Sequence, residues 1–153
     1  MIFINVFKKI IERIYLSFSD NLVYYDSVTH CKTRYYYDHV VKSKYQKKEC
    51  CIVYVDINNL KKTNDSLGHY QGTKLIKSVS EKLLLLDNVY DVCRVGGDEF
   101  VSICDLKFDK STLKTINDIS YGIAFKECYE DVSSAVRKAD EQMYEMKKLN
   151  SLR

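Results

Sequence analysis

Two acidic residues that lie far apart in the chain have the clearest capacity for chemistry. Asp56 ends the apolar run 50–55, and Asp98 follows two adjacent glycines, Gly96 and Gly97. A glycine turn lets backbone approach a phosphate closely, and two carboxylates with substrate phosphates are enough to hold Mg²⁺, which prefers oxygen ligands. The pattern therefore indicates metal-assisted chemistry on a phosphorylated ligand.

Each acid taken alone has a simpler interpretation. Gly-Gly-Asp-Glu is more often only a hairpin turn, and Asp56 alone is readily explained as a solvated residue at a strand end. The two together favour a site, since a pair of bound metal ions would lower the pKa of an attacking 3'-hydroxyl. The same ions would neutralise charge on the α-phosphate and on the leaving pyrophosphate, as nucleotidyl transfer requires.

Composition limits the class of protein. A chain of 153 residues fits one domain with a short appendage, and a net charge of +3 without clustered lysine or arginine argues against a nucleic-acid surface. The six cysteines show no Cys-x-x-Cys spacing. We interpret them as reduced and mostly buried, which favours a cytoplasmic protein over one built on disulfides or zinc.

Residues 1–18 place apolar side chains at helical spacing, but Lys8, Lys9, Glu12 and Arg13 interrupt them. The interruption excludes a membrane span of ~18 uncharged residues. We expect an amphipathic helix over 1–19 and one domain over 20–153. Packing of this helix on its own domain ranks first, pairing with a second copy ranks second, and contact with a membrane surface ranks third.

The periodicity predicts alternating helices and strands after residue 20. The expected helices are 34–47, 70–86 and 131–148, with Asp131 as the N-cap of the last and a short helical turn within 109–116. The expected strands are 50–55, 90–95, 99–104 and 119–125. This order predicts an α+β, ferredoxin-like or palm-type sandwich, in which helices flank a mostly antiparallel sheet. Such a sheet would bring Asp56 within a few ångströms of Asp98 in the hairpin turn.

Five segments, in order along the chain, resemble the motifs of the GGDEF family of diguanylate cyclases. They are 26–37, 54–69, 94–100, 121–124 and 139–147. Each segment is weak evidence alone, but the set extends from residue 26 to residue 147, which spans nearly everything after residue 20.

The resemblance implies a role for each site residue. Asp56, the carbonyl of Ile57 and Asp98 would hold two Mg²⁺ or Mn²⁺ ions per half-site, and Glu99 would assist the metal or contact substrate. The remaining matches would bind nucleotide. The turn of Gly96 and Gly97 would lie against it, Lys61 and Lys147 would contact its phosphates, and Asn64 would bind guanine.

Thr73 is the departure that bears most on the product. In the family an aspartate at this position accepts hydrogen bonds from guanine, and relatives with a small hydroxyl residue there have relaxed base choice. Loss of a charge-assisted hydrogen bond of about 1.5–3 kcal/mol would weaken guanine preference roughly 10- to 100-fold. ATP therefore joins GTP as an expected substrate, and the alternative that Asn64 suffices for guanine stays open.

Three further departures concern architecture and control. The stretch between Phe100 and Tyr121 is shorter than in the family, a trimming shared with the minimal CRISPR polymerases of anti-phage signalling. Ser151 replaces an arginine that would contact the triphosphate. Asp87 and Tyr90 replace the two residues of the family's product-inhibition site, so feedback there is not expected.

The sequence thus predicts a homodimeric, metal-dependent enzyme that condenses two nucleoside triphosphates into a 3',5'-linked cyclic dinucleotide. Two subunits are required because one site holds one triphosphate and offers nothing to attack it. Two alternatives remain open: an inactive module that binds nucleotide or cyclic dinucleotide, and a minimal-polymerase cyclase of an anti-phage system.

Overall fold

A four-stranded antiparallel sheet forms the centre of the molecule. The computed structural model describes residues 22–151. The strands are β1 (Cys50–Ile57), β2 (Val89–Arg94), β3 (Glu99–Cys104) and β4 (Ile119–Lys126). Their order is β2-β3-β1-β4, so β3 lies between the two strands β1 and β2 that a helical crossover connects. This is the split arrangement of a ferredoxin-like fold, and it confirms the predicted α+β class.

Residues 22–24 are helical, and four further helical segments and one 3₁₀ turn follow them in the described chain. Helix α1 consists of Arg34–Tyr36, a π-helical turn Tyr37–Val41, and Lys42–Tyr45. The others are α2 (Leu60–Leu67), α3 (His69–Leu84), the 3₁₀ turn Lys110–Thr115, and α4 (Val132–Ser151). Asp131 caps α4 as predicted, because its carboxylate accepts from the backbone N–H groups of Ser133 and Ser134 at 2.6 and 3.3 Å.

Successive residues of β1 face two separate cores. Odd-numbered β1 residues from Cys51 to Ile57 pack against α3 and the 3₁₀ turn. Even-numbered Cys50 and Ile52 pack against α1 and α4. Because side chains alternate across a strand, Asp56 is directed to the α4 side. The register of β1 therefore decides which helix can reach the acidic residue.

Helix α2 was not predicted, since residues 60–67 lie between the expected strand 50–55 and the expected helix 70–86. No side chain of α2 is fully buried, so the segment lacks the apolar stripe that marks a packed helix. Its ends are set by backbone conformation: Asn59 has φ 59° and Gly68 has φ 84°. Gly68 forms the sharp break between α2 and α3, where a left-handed φ favours glycine.

Helix α4 covers the free edge of β4. The backbone N–H of Tyr121 contacts Met146 Sδ at 3.4 Å, and that of Ile123 donates to Gln142 Oε1 at 3.3 Å. Gly122 makes the approach feasible, because a Cβ there would lie 1.9 Å from the carbonyl oxygen of Ala139. The close fit fixes α4 along the sheet and so determines where its last turns lie.

The predicted N-terminal amphipathic helix lies outside the described residues. Within residues 22–151, no helix has both the length and the apolar character needed to cross a bilayer. All six cysteines are free, and five of them are buried.

Candidate active site

The end of β1 and the turn of the β2–β3 hairpin meet, as the sequence predicted. Asp56 is the register partner of Glu99 on β3. The next residue, Ile57, donates its backbone N–H to the carbonyl of Asp98 at 2.9 Å. The backbone of the glycine turn is therefore tied to the strand that ends in Asp56.

Asp56 is a nearly buried carboxylate held by one lysine. Only 5% of the residue is exposed, and its Oδ1 accepts from Lys147 Nζ at 2.6 Å. Burial raises the pKa of Asp56, the Lys147 ammonium opposes that rise, and the charges of Asp98 and Asp140 add to it. A carboxylate in such surroundings requires a cation nearby, and here Lys147 supplies it.

Glu99 lies beside the glycine turn and against Tyr54. A Cβ on Gly96 would lie within contact distance of the Glu99 carboxylate, so Gly96 leaves room for that side chain. Burial raises the pKa of the Tyr54 hydroxyl, and the carboxylates of Glu99 and Asp140 raise it further. Tyr54 therefore stays protonated, with its hydroxyl close to the Glu99 carboxylate.

Arg94 fixes the conformation of the turn from its N-terminal side. Its guanidinium donates to the Gly97 carbonyl at 2.7 Å and to Asp26 Oδ1 at 3.1 Å. Asp26 also accepts from the backbone N–H and the hydroxyl of Thr29, at 2.9 and 2.7 Å. The segment around Asp26 thus supports the turn that carries Asp98.

The residues expected to read the base lie on α2 and α3. Asn64 packs against Gly72, where a Cβ would lie 1.8 Å from Asn64 Oδ1. Thr73, the next residue of α3, donates its hydroxyl to the carbonyl of His69 at 2.9 Å. The Thr73 oxygen therefore has only acceptor capacity left for a ligand. Lys61 on α2 is exposed.

A second polar connection, from Asn58 through Ser120 to Asn150, lies next to the contact between Asp56 and Lys147. Ser120 Oγ donates to Asn58 Oδ1 at 2.7 Å, and Asn150 Nδ2 donates to Ser120 Oγ at 3.2 Å. Asn58 lies two residues after Asp56, and Asn150 lies three residues after Lys147, so both connections join the same strand end to the same helix face. The last turns of α4 are thereby held in place.

The electrostatics at this end of the sheet suit a divalent cation. Asp56 and Asp98 come from adjacent elements, Glu99 and Asp140 are near, and oxygen donors of this kind are those that Mg²⁺ prefers. Among residues 22–151, no group of three or more histidine, cysteine or carboxylate side chains is arranged to hold a metal ion alone. The fit is therefore to an ion that shares its coordination with substrate phosphates and water.

Sequence reasoning placed Asp56, Ile57, Asp98 and Glu99 at the metal and Lys147 on the substrate phosphates. The structure brings all five together at the end of β1. Asn64 and Thr73 form a second group on the paired helices. Four contributors were not predicted: Tyr54, Arg94, Asn58 and Asn150. Arg94 precedes the turn directly, and Tyr54 lies two residues before Asp56, so position in the strands was the available signal.

A model of the family described as "Diguanylate cyclase, GGDEF domain" matches residues 23–115, which is more than half of the chain. The chain belongs to the GGDEF family. The matched range includes both acidic positions and the whole glycine turn.

Curated relatives of this GGDEF chain include proteins named as phosphodiesterases and proteins named as diguanylate cyclases. It is 34% identical to cyclic di-GMP phosphodiesterase NbdA of Pseudomonas aeruginosa over 56% of this chain and 12% of that protein. It is 31% identical to probable diguanylate cyclase DgcT of Escherichia coli over 63% of this chain and 22% of that protein. The match thus spans less than a quarter of each relative's length.

Solved GGDEF domains share the fold. The coiled coil and GGDEF domain of DgcB from Caulobacter crescentus, in complex with c-di-GMP, superposes with a TM-score of 0.82 at 20% identity, covering 94% of this chain and 91% of that one. The GGDEF domain of DgcB alone, also in complex with c-di-GMP, gives 0.70 at 21% identity, covering 82% and 90%.

Proposed function

We propose that this GGDEF protein is a metal-dependent cyclic dinucleotide synthase. It condenses two nucleoside triphosphates into a 3',5'-linked cyclic dinucleotide such as c-di-GMP. The observation that carries the proposal is the meeting of Asp56 with the Asp98 turn at the end of β1, in a chain whose family includes named diguanylate cyclases.

In this proposal the metal ligands are the carboxylates of Asp56 and Asp98 and the carbonyl of Ile57. Mg²⁺ or Mn²⁺, when bound, supplies charge neutralisation at the α-phosphate and lowers the pKa of the attacking 3'-hydroxyl. Glu99, held beside Gly96, contacts this centre or the substrate. Gly96 and Gly97 leave the nucleotide close access to the turn backbone.

The chain's cations orient the triphosphate. Lys147 lies at the metal centre, and Lys61 is exposed on α2, where it is free to reach a phosphate. Positioning of phosphate and hydroxyl supplies much of the rate enhancement in phosphoryl-type transfer. We expect both lysines to lower the KM for nucleotide.

Base choice is expected to be relaxed. The Thr73 hydroxyl donates to His69, so its oxygen acts as an acceptor toward a base. Guanine N1–H and adenine N6–H both offer donors to such an oxygen, whereas a carboxylate would favour guanine by its charge and second oxygen. We therefore propose GTP as a substrate and ATP as a second.

Turnover requires a homodimer in this proposal, since each subunit presents one triphosphate. Each 3'-hydroxyl attacks the α-phosphate of the nucleotide on the other subunit and displaces pyrophosphate. We place the reaction in the cytoplasm, where nucleoside triphosphates are available and free cysteines such as the six here persist.

The test is product analysis by mass spectrometry after incubation with GTP, ATP or both, with Mg²⁺ or Mn²⁺. We expect a cyclic dinucleotide with GTP and a mixed product when ATP is added. Asp56→Ala and Asp98→Ala are each expected to abolish product while circular dichroism shows a folded protein. Undiminished turnover in either variant would refute the metal assignment.

A binding module without turnover is the second candidate. Thr73 and Ser151 each lack a group that the family uses for nucleotide, and phosphodiesterases are among the relatives. Tight binding of GTP or c-di-GMP, measured by calorimetry, with no product under any nucleotide and metal combination, would favour this function over synthesis.

The short connection from β3 to β4, which contains only one 3₁₀ turn, is the feature shared with minimal CRISPR polymerases. The alternative that this chain is a minimal-polymerase cyclase of an anti-phage system is tested in the same product analysis, by comparing ATP with GTP as the sole substrate.

A further inference from the structure

The carboxylate of Asp56 has two candidate cationic partners, the ammonium of Lys147 and the divalent ion of the proposed function. In the structure the Lys147 ammonium lies 2.6 Å from Asp56 Oδ1. In the proposed function the same carboxylate holds a divalent ion. An ammonium in direct contact with the carboxylate would compete with that ion for the oxygen and would repel it.

We propose that Lys147 is an exchangeable cation of the nucleotide-free site. It neutralises Asp56 until metal and nucleotide arrive, and it then moves from the carboxylate to the triphosphate. This inference rests on the proposed function and adds that metal binding depends on nucleotide. Divalent metal binds weakly alone and tightly with nucleotide, because only nucleotide gives the displaced ammonium a new anionic partner.

The exposures of the two side chains fit such an exchange. The Asp56 side chain is 6% exposed, whereas that of Lys147 is 42% exposed. The carboxylate is thus fixed in the protein, while the lysine has an open path toward solvent. Lysine carries its charge on a flexible four-carbon stem, which suits movement between two partners.

The backbone that carries Lys147 does not need to move. Asn150 lies one turn further along α4 and is joined to Asn58 through Ser120, at 3.2 and 2.7 Å. This connection holds the end of α4 against β1 independently of the ion pair. Rotation of the Lys147 side chain is therefore sufficient for the exchange.

The surrounding charge explains why an ionised Asp56 favours a cation at its side. Asp56 is nearly buried, and the charges of Asp98 and Asp140 act on it. A buried carboxylate with like charges nearby is strongly unfavourable unless it is paired. Removing Lys147 should leave a need for a cation that a divalent metal then meets.

The first experiment measures Mn²⁺ affinity without nucleotide by electron paramagnetic resonance. Lys147→Met is expected to bind Mn²⁺ about tenfold more tightly than the unmodified chain, the size of effect that one charge-assisted hydrogen bond corresponds to. The same variant should bind a non-hydrolysable GTP analogue more weakly in the presence of Mg²⁺.

Lys138→Met is the matched control. Lys138 lies on the same helix and pairs with Glu130 at 2.7 Å, away from the strand end. The Lys138→Met substitution removes one positive charge and one ion pair, as Lys147→Met does, and should leave Mn²⁺ affinity unchanged. Unchanged or weaker Mn²⁺ binding by Lys147→Met, or equal gains in both variants, would overturn the exchange.

A second measurement uses the chain without substitution, so it does not depend on a variant folding. Lysine acetylation followed by mass spectrometry should show Lys147 protected without ligand, reactive with saturating Mn²⁺ alone, and protected again when the GTP analogue is added. Lys138 should react equally in all three conditions, and Asp56→Asn should expose Lys147 without metal. Constant Lys147 reactivity at saturating Mn²⁺ would overturn the inference.

The two proposals fail separately. Product formation with constant Lys147 reactivity would leave the synthase function standing without the exchange. Metal-dependent change in Lys147 reactivity without product would leave the exchange standing in a site that binds nucleotide without turnover.

Discussion

Thr73 shows how a single side chain shapes what this site recognises. Its identity was evident in the sequence, but the partner of its hydroxyl was not, because a threonine in a helix bonds either to its own backbone or to a ligand. In the structure the hydroxyl donates to His69, which leaves only acceptor capacity toward a base. The base preference proposed above follows from that bond.

Thr73→Asp is expected to shift base use toward GTP. A carboxylate would accept from guanine with charge assistance, which corresponds to roughly a 10- to 100-fold gain in kcat/KM for GTP relative to ATP. The ratio is measured with the two nucleotides in competition and product masses quantified. Thr73→Val, which keeps the side-chain shape, is the control and should not raise the GTP ratio; an unchanged ratio in Thr73→Asp would mean that the base is read elsewhere.

The residues of the metal centre differ in how far sequence could place them. Asp56 and Asp98 were predictable because each follows a strand or a glycine turn. The direct bond of Lys147 to Asp56 was not, since it depends on the rotation of α4 about its axis and on the exact height of α4 along β4. The resemblance named Lys147 only as a phosphate ligand, and its present partner comes from the structure.

At the scale of elements, the glycine turn is supported by a segment far from it in sequence. Arg94 connects the Gly97 carbonyl to Asp26, and Asp26 closes its own turn through Thr29. Burial raises the pKa of Asp26, but the bonds from Thr29 and the charge of Arg94 outweigh it and hold the pKa below 3.8. The ionised form of Asp26 therefore stabilises the fold.

Asp26→Asn should lower the free energy of unfolding at pH 7 by about 1 kcal/mol, the size of a partly buried charge-assisted hydrogen bond. Because the folded pKa is depressed, the contribution of Asp26 is fully present above its unfolded pKa and is lost as pH falls through the folded value. The difference between the two proteins in urea denaturation should therefore shrink below about pH 4. A difference that is constant from pH 7 to pH 3 would contradict the ion pair.

Gly122→Ala tests the close packing of α4 on β4. The new methyl group would lie 1.9 Å from the carbonyl oxygen of Ala139 and 2.5 Å from the backbone nitrogen of Met143, so strand and helix must separate. We expect a loss of about 1–3 kcal/mol in unfolding free energy, as for overpacked cores. The same displacement should raise the reactivity of Lys147 toward acetylation; a stable protein with normal Lys147 reactivity would contradict the fit. Ala124→Gly, on the same strand, is a control that removes a methyl group without a clash.

Element existence was predictable where apolar periodicity was strong, as for β1, the β2–β3 hairpin, α3 and α4. Helix α2 was not, because its polar residues bury no stripe and its limits depend on the left-handed backbone of Asn59 and Gly68. Leu84 lies within the predicted helix 70–86 but is 46% exposed, and α3 ends at this residue. Helix ends are where periodicity carries least information.

At the scale of the whole molecule, the α+β class and the mostly antiparallel sheet were predictable from the sequence, while some of the buried polar contacts were not. Lys126 is 1% exposed, and its ammonium donates to the carbonyls of Gln46, Lys48 and Glu127 at 2.9–3.1 Å. A lysine at the end of a strand usually extends into solvent. Its burial is possible because the segment that follows α1 offers the carbonyls of Gln46 and Lys48 as acceptors for the ammonium.

The proposed two-subunit reaction predicts a dependence of rate on protein concentration. If each catalytic encounter joins two loaded subunits, the rate per subunit should rise with concentration until dimers saturate. The measurement is product formation at saturating GTP over a hundredfold range of protein, with oligomeric state followed by light scattering. A rate per subunit that is constant while the protein stays monomeric would contradict a shared site.

The central claim is that Asp56 and Asp98 together hold a divalent cation at the end of β1. The most direct measurement is the anomalous scattering of Mn²⁺ in crystals grown with a non-hydrolysable GTP analogue. The account predicts a Mn²⁺ peak coordinated by carboxylate oxygens of both Asp56 and Asp98, with Lys147 on a phosphate. A nucleotide-bound structure in which Mn²⁺ contacts neither carboxylate would contradict it.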